Sequence, residues 1–253
     1  MLQKINYQKE LDRLITDLQK EEKVPTLLIH SCCAPCSSYV LEYLSNYFRI
    51  TVLYYNPNIY PEGEYSKRII EQQTLIGAMH TKYPVQFIAG SYEKEKFYAM
   101  AKGLEEVKEG GVRCFKCYEL RLREAAEIAK AGGYEYFTTT LSISPLKNAA
   151  KLNEIGLKLA EEYGVAYLTS DFKKKNGYKR SVELSAQYGL YRQDYCGCEF
   201  SMRQRMEEQQ ARKEQRKCIN GIRKLHGLRK KSRFRVNKYV NFCNNICFYA
   251  EMC

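Results

Sequence analysis

The chain has 253 residues, of which 45% are hydrophobic, and this length suits one α/β domain of roughly 200 residues with an appendage. It contains no apolar run long enough to span a bilayer and no signal-peptide core at its start, so we expect a globular, cytoplasmic protein. The net charge of +12 is uneven, because residues 201–253 carry 14 Lys and Arg against four Asp and Glu while the preceding part is nearly neutral.

The spacing of apolar residues and the positions of turn residues predict alternating helices and strands in the first half of the sequence. The predicted elements are an amphipathic helix over 5–22, a buried strand from Thr26 to the His30-Ser31 pair, a helix from about Pro35, a strand over 50–55, a helix from about 62 with Tyr65, Ile69 and Ile76 inward, and a strand over 85–89.

The alternation continues in the second half. Cys114 and Cys117 open a strongly helical segment over 118–130. After it we predict a strand over 136–140, a helix through 162, a strand over 166–169, a basic loop over 171–178 and a helix over 181–188. The pattern predicts a mostly parallel sheet covered by helices on both faces, formed by residues 1–205. Residues 206–253 are expected to be a basic tail that is partly helical or disordered.

Eleven cysteines in a reducing compartment favour metal ligands or catalytic thiols over a disulfide framework. Seven fall in three clusters and four are scattered in the tail. The clusters are Cys32, Cys33 and Cys36; Cys114 and Cys117; and Cys196 and Cys198; the scattered residues are Cys218, Cys243, Cys247 and Cys253.

The first two clusters together supply more thiolates than one structural zinc ion needs. Cys32 and Cys33 follow the first predicted strand, where open α/β sheets bind ligands. Zinc and an iron-sulfur cluster both fit these ligands, and adjacent cysteines favour the cluster because their side chains diverge toward separate irons. The alternative is that individual cysteines are buried apolar thiols.

Cys196-Gly197-Cys198 allows a disulfide only in a small, strained ring, which is typical of labile, catalytic pairs. Two further metal ligands are the alternative. Asp194 is a candidate general acid or metal-site carboxylate, or else a surface loop residue. His30 is a candidate proton source, or a histidine that is simply hydrogen-bonded at the strand end.

Two groups of residues are candidates for RNA contact. Tyr54, Tyr55, Tyr60 and Tyr65 are candidates for stacking on a base, although several of them are expected in the core. Lys173–Lys175 with Lys179 and Arg180 are candidates for phosphate contact, or form an ordinary solvated loop.

Five motifs resemble those of the cobalamin-independent epoxyqueuosine reductase family, in the right order, over about residues 20–205. They are His30-Ser-Cys-Cys-Ala-Pro-Cys36, Tyr55-Asn-Pro-Asn-Ile59, Arg113-Cys-Phe-Lys-Cys-Tyr118, Thr139-Thr-Leu-Ser-Ile-Ser-Pro145 and Tyr195-Cys-Gly-Cys198.

The resemblance implies a Rossmann-like, HUP-like fold and reduction of the epoxide of epoxyqueuosine, at the wobble position of tRNA, to queuosine. It implies a 4Fe-4S cluster held by Cys32, Cys33, Cys114 and Cys117, with a mononuclear iron beside it, and a redox-active pair of Cys196 and Cys198. Cys36 is a further candidate metal ligand; it stands where some relatives carry Asp, which leaves the ligands of the second iron open. The partner implied is tRNA, and the sequence indicates neither an electron donor nor an oligomeric state.

Two other functions remain open. An ATP-dependent tRNA thiolation enzyme would need a Ser-Gly-Gly phosphate loop after the first strand, where this chain has Ser31-Cys32-Cys33. A zinc-stabilised RNA-binding module without catalysis would use the same cysteines for structure alone.

Overall fold

The computed structural model describes residues 5–229, without the side chains of Cys218 and of residues 221–229. The chain divides into two compact units, Met1–Met202 and Arg203–Cys253. What was expected of residues 230–253, with Cys243, Cys247 and Cys253, lies outside the described residues, as does the side chain of Cys218.

The first unit alternates helices and strands. Its elements are α1 (Tyr7–Lys20), β1 (Thr26–His30), α2 (Ala34–Leu44), β2 (Arg49–Tyr54), α3 (Glu62–Ala78), β3 (Gln86–Ala89), α4 (Lys94–Ala101), α5 (Val112–Ala131), β4 (Tyr136–Thr139), a 3₁₀ turn (Thr140–Ile143), α6 (Ala149–Tyr163), β5 (Ala166–Tyr167) and α7 (Gly177–Gln187). The last helix, α8 (Glu199–Arg229), continues into the second unit, where the described part is helical through Arg229.

The five strands form one sheet in the order β3-β2-β1-β4-β5, and every pairing is parallel. The central strand β1 pairs on both sides, so that Leu28 lies opposite Thr51 of β2 and Phe137 of β4. The predicted parallel α/β architecture is confirmed.

Helices cover both faces of the sheet because side chains alternate along each strand. On one face, Leu28, Leu53 and Phe137 pack against Leu122 of α5 and Leu152 of α6. On the other, residues of β1 and β2 pack against α1 and α2; this cluster includes Leu27, Ile29, Ile50, Val52, Leu11, Ile15, Val40, Leu41 and Leu44.

The strand order reverses direction between β1 and β4, since the chain runs outward from β1 to β3 and then returns to β4. At such a reversal the loops that follow the two neighbouring strands separate and leave a crevice at their carboxyl ends. His30 and Thr139, which are register partners, lie at these carboxyl ends.

The main differences from the predicted elements lie late in the chain. β5 ends at Tyr167, two residues earlier than predicted. The Leu168 amide still donates to the Phe137 carbonyl (2.9 Å). The strand then ends because the backbone of Ser170 pairs with the Asn153 side chain instead. α7 begins at Gly177, inside the predicted basic loop, with Asn176 in a left-handed conformation before it. Among the described helices, none has the length and apolar character needed to cross a bilayer.

Candidate metal and dithiol site

Three thiols meet in the turn between β1 and α2. The sulfur atoms of Cys32, Cys33 and Cys36 lie within 4.8 Å of one another, and those of Cys32 and Cys33 are 3.7 Å apart. We call these residues the thiol trio. They form the one group of three potential metal ligands at this spacing in the part of the chain that the structure describes.

Buried hydrogen bonds hold the turn in place. Ser31 and Ser37 each lie with Oγ 2.8 Å from Gln72 Oε1 of α3, and Asn56 Nδ2 donates to the Ser31 carbonyl at 2.7 Å. The Ser37 hydroxyl also lies 3.0 Å from the Cys33 carbonyl. Side chains from α2, from α3 and from the loop after β2 therefore fix the turn without a metal.

The thiol trio shares its protons unequally. Hydrogen bonds from Cys33 and Cys36 hold the pKa of Cys32 well below the ordinary thiol value. The same contacts with Cys32, together with burial, raise the pKa of Cys33 and Cys36. Only a cation can hold all three as thiolates, so metal binding here would release protons.

The second pair of candidate ligands lies in the first two turns of α5. The Gly110 amide lies 3.2 Å from Cys114 Sγ, and burial raises the pKa of Cys114. Burial raises the pKa of Cys117 to about 12. Cys32 packs against the apolar cluster that contains Cys114, so the β1–α2 turn and α5 face the same region.

Arg121 links the candidate ligands to the Cys-Gly-Cys loop (Cys196–Cys198). Its side chain is 1% exposed, Nε donates to the Cys117 carbonyl at 3.2 Å, and Nη1 donates to Asn56 Oδ1 at 3.3 Å. Burial opposes its charge, but Cys117, Cys196 and Cys32 lie near enough to raise its pKa. Nη2 is buried without a hydrogen-bond partner. A buried cation of this kind favours an anionic group beside it.

A second buried arginine supports the Cys-Gly-Cys loop. Arg68 of α3 pairs with Glu64 (2.8 Å), and Gly197 lies against its guanidinium. A Cβ on Gly197 would lie 2.9 Å from Arg68 Nη1, and the Gly197 φ of +108° is one that other residues rarely adopt. The Tyr60 amide donates to the Gly197 carbonyl at 2.8 Å, so the loop is docked on α3 and on the turn before it.

The two thiols of the loop have different surroundings. Cys196 is half-buried, with Sγ 2.9 Å from the ammonium of Lys147, which also pairs with Glu109 at 2.9 Å. Cys198 is buried, and its thiol lies 3.3 Å from the Ser201 hydroxyl. Asp194 is exposed, two residues before Cys196.

His30 is fully buried and fills a fixed position at the end of β1. Because Nε2 faces the Tyr55 carbonyl (3.0 Å), it carries the proton, and Nδ1 accepts from the Thr139 hydroxyl (2.9 Å). Burial and the charge of Arg121 lower its pKa to about 4. The imidazole is therefore neutral at pH 7, and the hydrogen-bonded alternative describes it better than a proton source.

The residues expected to contact RNA are mostly engaged elsewhere. Tyr54, Tyr55 and Tyr65 are buried, which leaves Tyr60 as the exposed member of that group. In the basic loop and α7, three cations are paired with carboxylates: Lys173 with Asp171, Lys175 with Asp12, and Arg180 with Glu42. The burial of Tyr54 in β2 and of Tyr65 in α3 follows from strand and helix periodicity.

The sequence matches the family model for "Epoxyqueuosine reductase QueH" over residues 27–204. The chain belongs to this family. Relatives named epoxyqueuosine reductase QueH include those of Staphylococcus epidermidis (44% identity over 84% of this chain and 91% of the relative), Staphylococcus aureus (44% over 80% and 86%) and Streptococcus pyogenes (42% over 79% and 79%). The suspected family is confirmed, and the protein is an oxidoreductase.

Sequence reasoning missed three of the buried cations near the candidate cysteines, Arg68, Arg121 and Lys147. Charged residues on amphipathic helices are normally placed on the outer face. A signal was present for α3, because Arg68 and Gln72 follow Tyr65 at helical spacing and share its buried face. For Lys147, which lies in a loop before α6, the sequence holds no comparable signal.

Replacement of Gly197 by alanine is expected to lower the free energy of unfolding by about 1–3 kcal/mol, because of the unfavourable φ and the contact with Arg68. Denaturant unfolding of the anaerobic, metal-loaded protein measures this change. Gly63→Ala, which adds a Cβ with nothing within 4 Å in the first turn of α3, is the matched control. Equal stabilities of the two variants would contradict the docking of the loop on Arg68.

Proposed function

We propose that this chain reduces the epoxide of epoxyqueuosine, at the wobble position of tRNA, to give queuosine as the last step of that modification. The observation that carries the proposal is Arg121, a buried guanidinium 3.2 Å from the Cys117 carbonyl whose pKa is raised by the charges of Cys117, Cys196 and Cys32. A metal centre and a dithiol whose thiolates are stabilised by one buried cation suit a two-electron reduction.

We assign Cys32, Cys33, Cys114 and Cys117 as ligands of a 4Fe-4S cluster, and Cys36 as a ligand of an adjacent iron. Three observations support the fit: five thiols exceed the needs of one zinc ion, the trio lies within 4.8 Å, and the unpartnered Nη2 of Arg121 favours an anionic group. When bound, the metal centre would supply electron transfer and a Lewis acid.

The dithiol supplies the reducing equivalents of the net reaction. Conversion of an epoxide to an alkene releases its oxygen as water and consumes two electrons and two protons. Cys196 and Cys198 provide both electrons when they form a disulfide. We assign Asp194, exposed at the start of the loop, as a general acid through which protons pass to the departing oxygen.

The proposal is tested by incubating the anaerobically purified full chain with tRNA that contains epoxyqueuosine and a reductant, followed by nucleoside mass spectrometry and metal analysis. We expect queuosine to form without ATP, in a coloured, iron-containing protein. A colourless protein with stoichiometric zinc and no turnover would favour an RNA-binding module, and product that forms only with ATP hydrolysis would favour a thiolation-type enzyme.

A further inference from the structure

Lys147 is a buried cation beside a potentially reactive sulfur. Its side chain is 6% exposed, and its ammonium lies 2.9 Å from Cys196 Sγ and 2.9 Å from Glu109 Oε1. A lysine is rarely buried to this degree unless its charge is compensated. Burial disfavours the ammonium, yet Cys196 and Glu109 together raise the pKa of Lys147 well above its usual range.

We propose that Lys147 and Cys196 form an ammonium–thiolate pair that makes Cys196 the reactive sulfur of the dithiol and stores on Lys147 the proton that Cys196 has given up. This inference rests on the reductase function proposed above. It assigns the two cysteines of the Cys-Gly-Cys loop different roles, which their sequence alone does not distinguish.

The environment of Cys198 supports this asymmetry. Cys198 is buried, its thiol lies 3.3 Å from the Ser201 hydroxyl, and burial raises its pKa. The charge of Arg113 lowers the pKa of Cys198 less than burial raises it, whereas the Lys147 ammonium lies 2.9 Å from Cys196 Sγ. Cys198 therefore stays protonated while Cys196 is paired with a cation, and the thiolate is the nucleophilic form.

The pair of Lys147 and Cys196 also accounts for the protons that the reduction consumes. The two electrons leave the dithiol as the S–S bond between Cys196 and Cys198 forms. One of the two protons that leave with the epoxide oxygen as water comes from the Cys198 thiol, and the other comes from the Lys147 ammonium. Disulfide formation removes one of the two negative charges beside Lys147 and leaves only that of Glu109, so the ammonium releases its proton more readily. Reduction of the disulfide by an added dithiol returns both protons.

The first test measures alkylation of the anaerobic, metal-loaded full chain by iodoacetamide at pH 7, with each cysteine read by peptide mass spectrometry and no tRNA present. We expect Cys196 to react before Cys198, and Lys147→Met to slow labelling of Cys196 by about tenfold or more, because less thiolate is present. Lys147→Gln should slow it equally, and Lys147→Arg should preserve it. Lys151→Met, which removes a half-exposed lysine of α6, is the matched control.

The second test measures single-turnover reduction of modified tRNA. Lys147→Arg should retain rapid labelling of Cys196 but lose most turnover, because a guanidinium does not give up its proton. Full turnover of Lys147→Arg would overturn the proton store, and unchanged labelling in Lys147→Met or Lys147→Gln would overturn the pair. Since labelling needs no substrate, it tests the ammonium–thiolate pair of Lys147 and Cys196 even if the reductase proposal fails. Circular dichroism of each variant checks that it is folded.

Discussion

Cys32→Ser is expected to remove bound iron and visible colour from the anaerobically purified protein and to abolish epoxide reduction. Cys32 is the thiol of the trio that ionises most readily, and it lies both 3.7 Å from Cys33 and near the guanidinium of Arg121. Serine keeps the size of the side chain but is not a thiolate ligand for iron. Iron and acid-labile sulfide per chain, together with nucleoside analysis of the tRNA, measure the effect.

Cys36→Ser is the matched comparison, because Cys36 belongs to the same trio but not to the proposed cluster ligands. We expect it to keep the colour and about four irons per chain while activity is lost with the adjacent iron. If Cys36→Ser loses all its iron as Cys32→Ser does, the trio acts as one ligand set, and the assignment of Cys114 and Cys117 must be revised.

Arg121→Met is expected to change the stability of the metal-free protein little and to weaken iron retention in the metal-loaded protein strongly. In the metal-free protein Cys117 is protonated and Cys196 has Lys147 as its own cation. The variant therefore removes a buried charge at the cost of the hydrogen bonds to Asn56 and the Cys117 carbonyl and of the counter-charge to Cys32. The free energy of unfolding should then change by no more than about 2 kcal/mol. In the loaded protein the same change removes the counter-charge of the thiolates, and a chelator should extract iron roughly 10–100 times faster.

Arg121→Lys is the control, because it keeps the positive charge but cannot reproduce the planar contacts to the Cys117 carbonyl and Asn56. Its rate of iron loss should lie between those of the wild type and Arg121→Met. A metal-free Arg121→Met protein that unfolds far more easily than wild type, with unchanged iron retention, would show that Arg121 serves packing rather than charge.

The strands and most helices were predictable because they depend on local apolar patterns. The run Thr26–His30 is buried on both faces, and the Gly132-Gly133 pair ends α5 where expected. The short β5 was not predictable, because its end depends on the pairing of Ser170 with Asn153, 17 residues away in the sequence.

The clustering of Cys32, Cys33 and Cys36 could be predicted from their spacing, but the charged environment of the candidate cysteines could not. Arg68, Arg121 and Lys147 come from α3, α5 and the loop before α6, so only the tertiary fold brings them to the thiols. The aromatic residues show the converse. Tyr54 and Tyr65 look available for base stacking by composition, yet strand and helix periodicity turns both into the core.

The position of β1 gives the two thiol groups different local stabilities. The turn that carries Cys32 and Cys33 follows a strand paired on both sides, and buried hydrogen bonds of Gln72 and Asn56 with Ser31 hold it in place. The Cys-Gly-Cys loop ends a stretch from residue 188 to residue 198 that contains no helix or strand. We expect that stretch to open more readily than the sheet, so that an external reductant reaches Cys196 and Cys198 while the candidate metal ligands keep their positions.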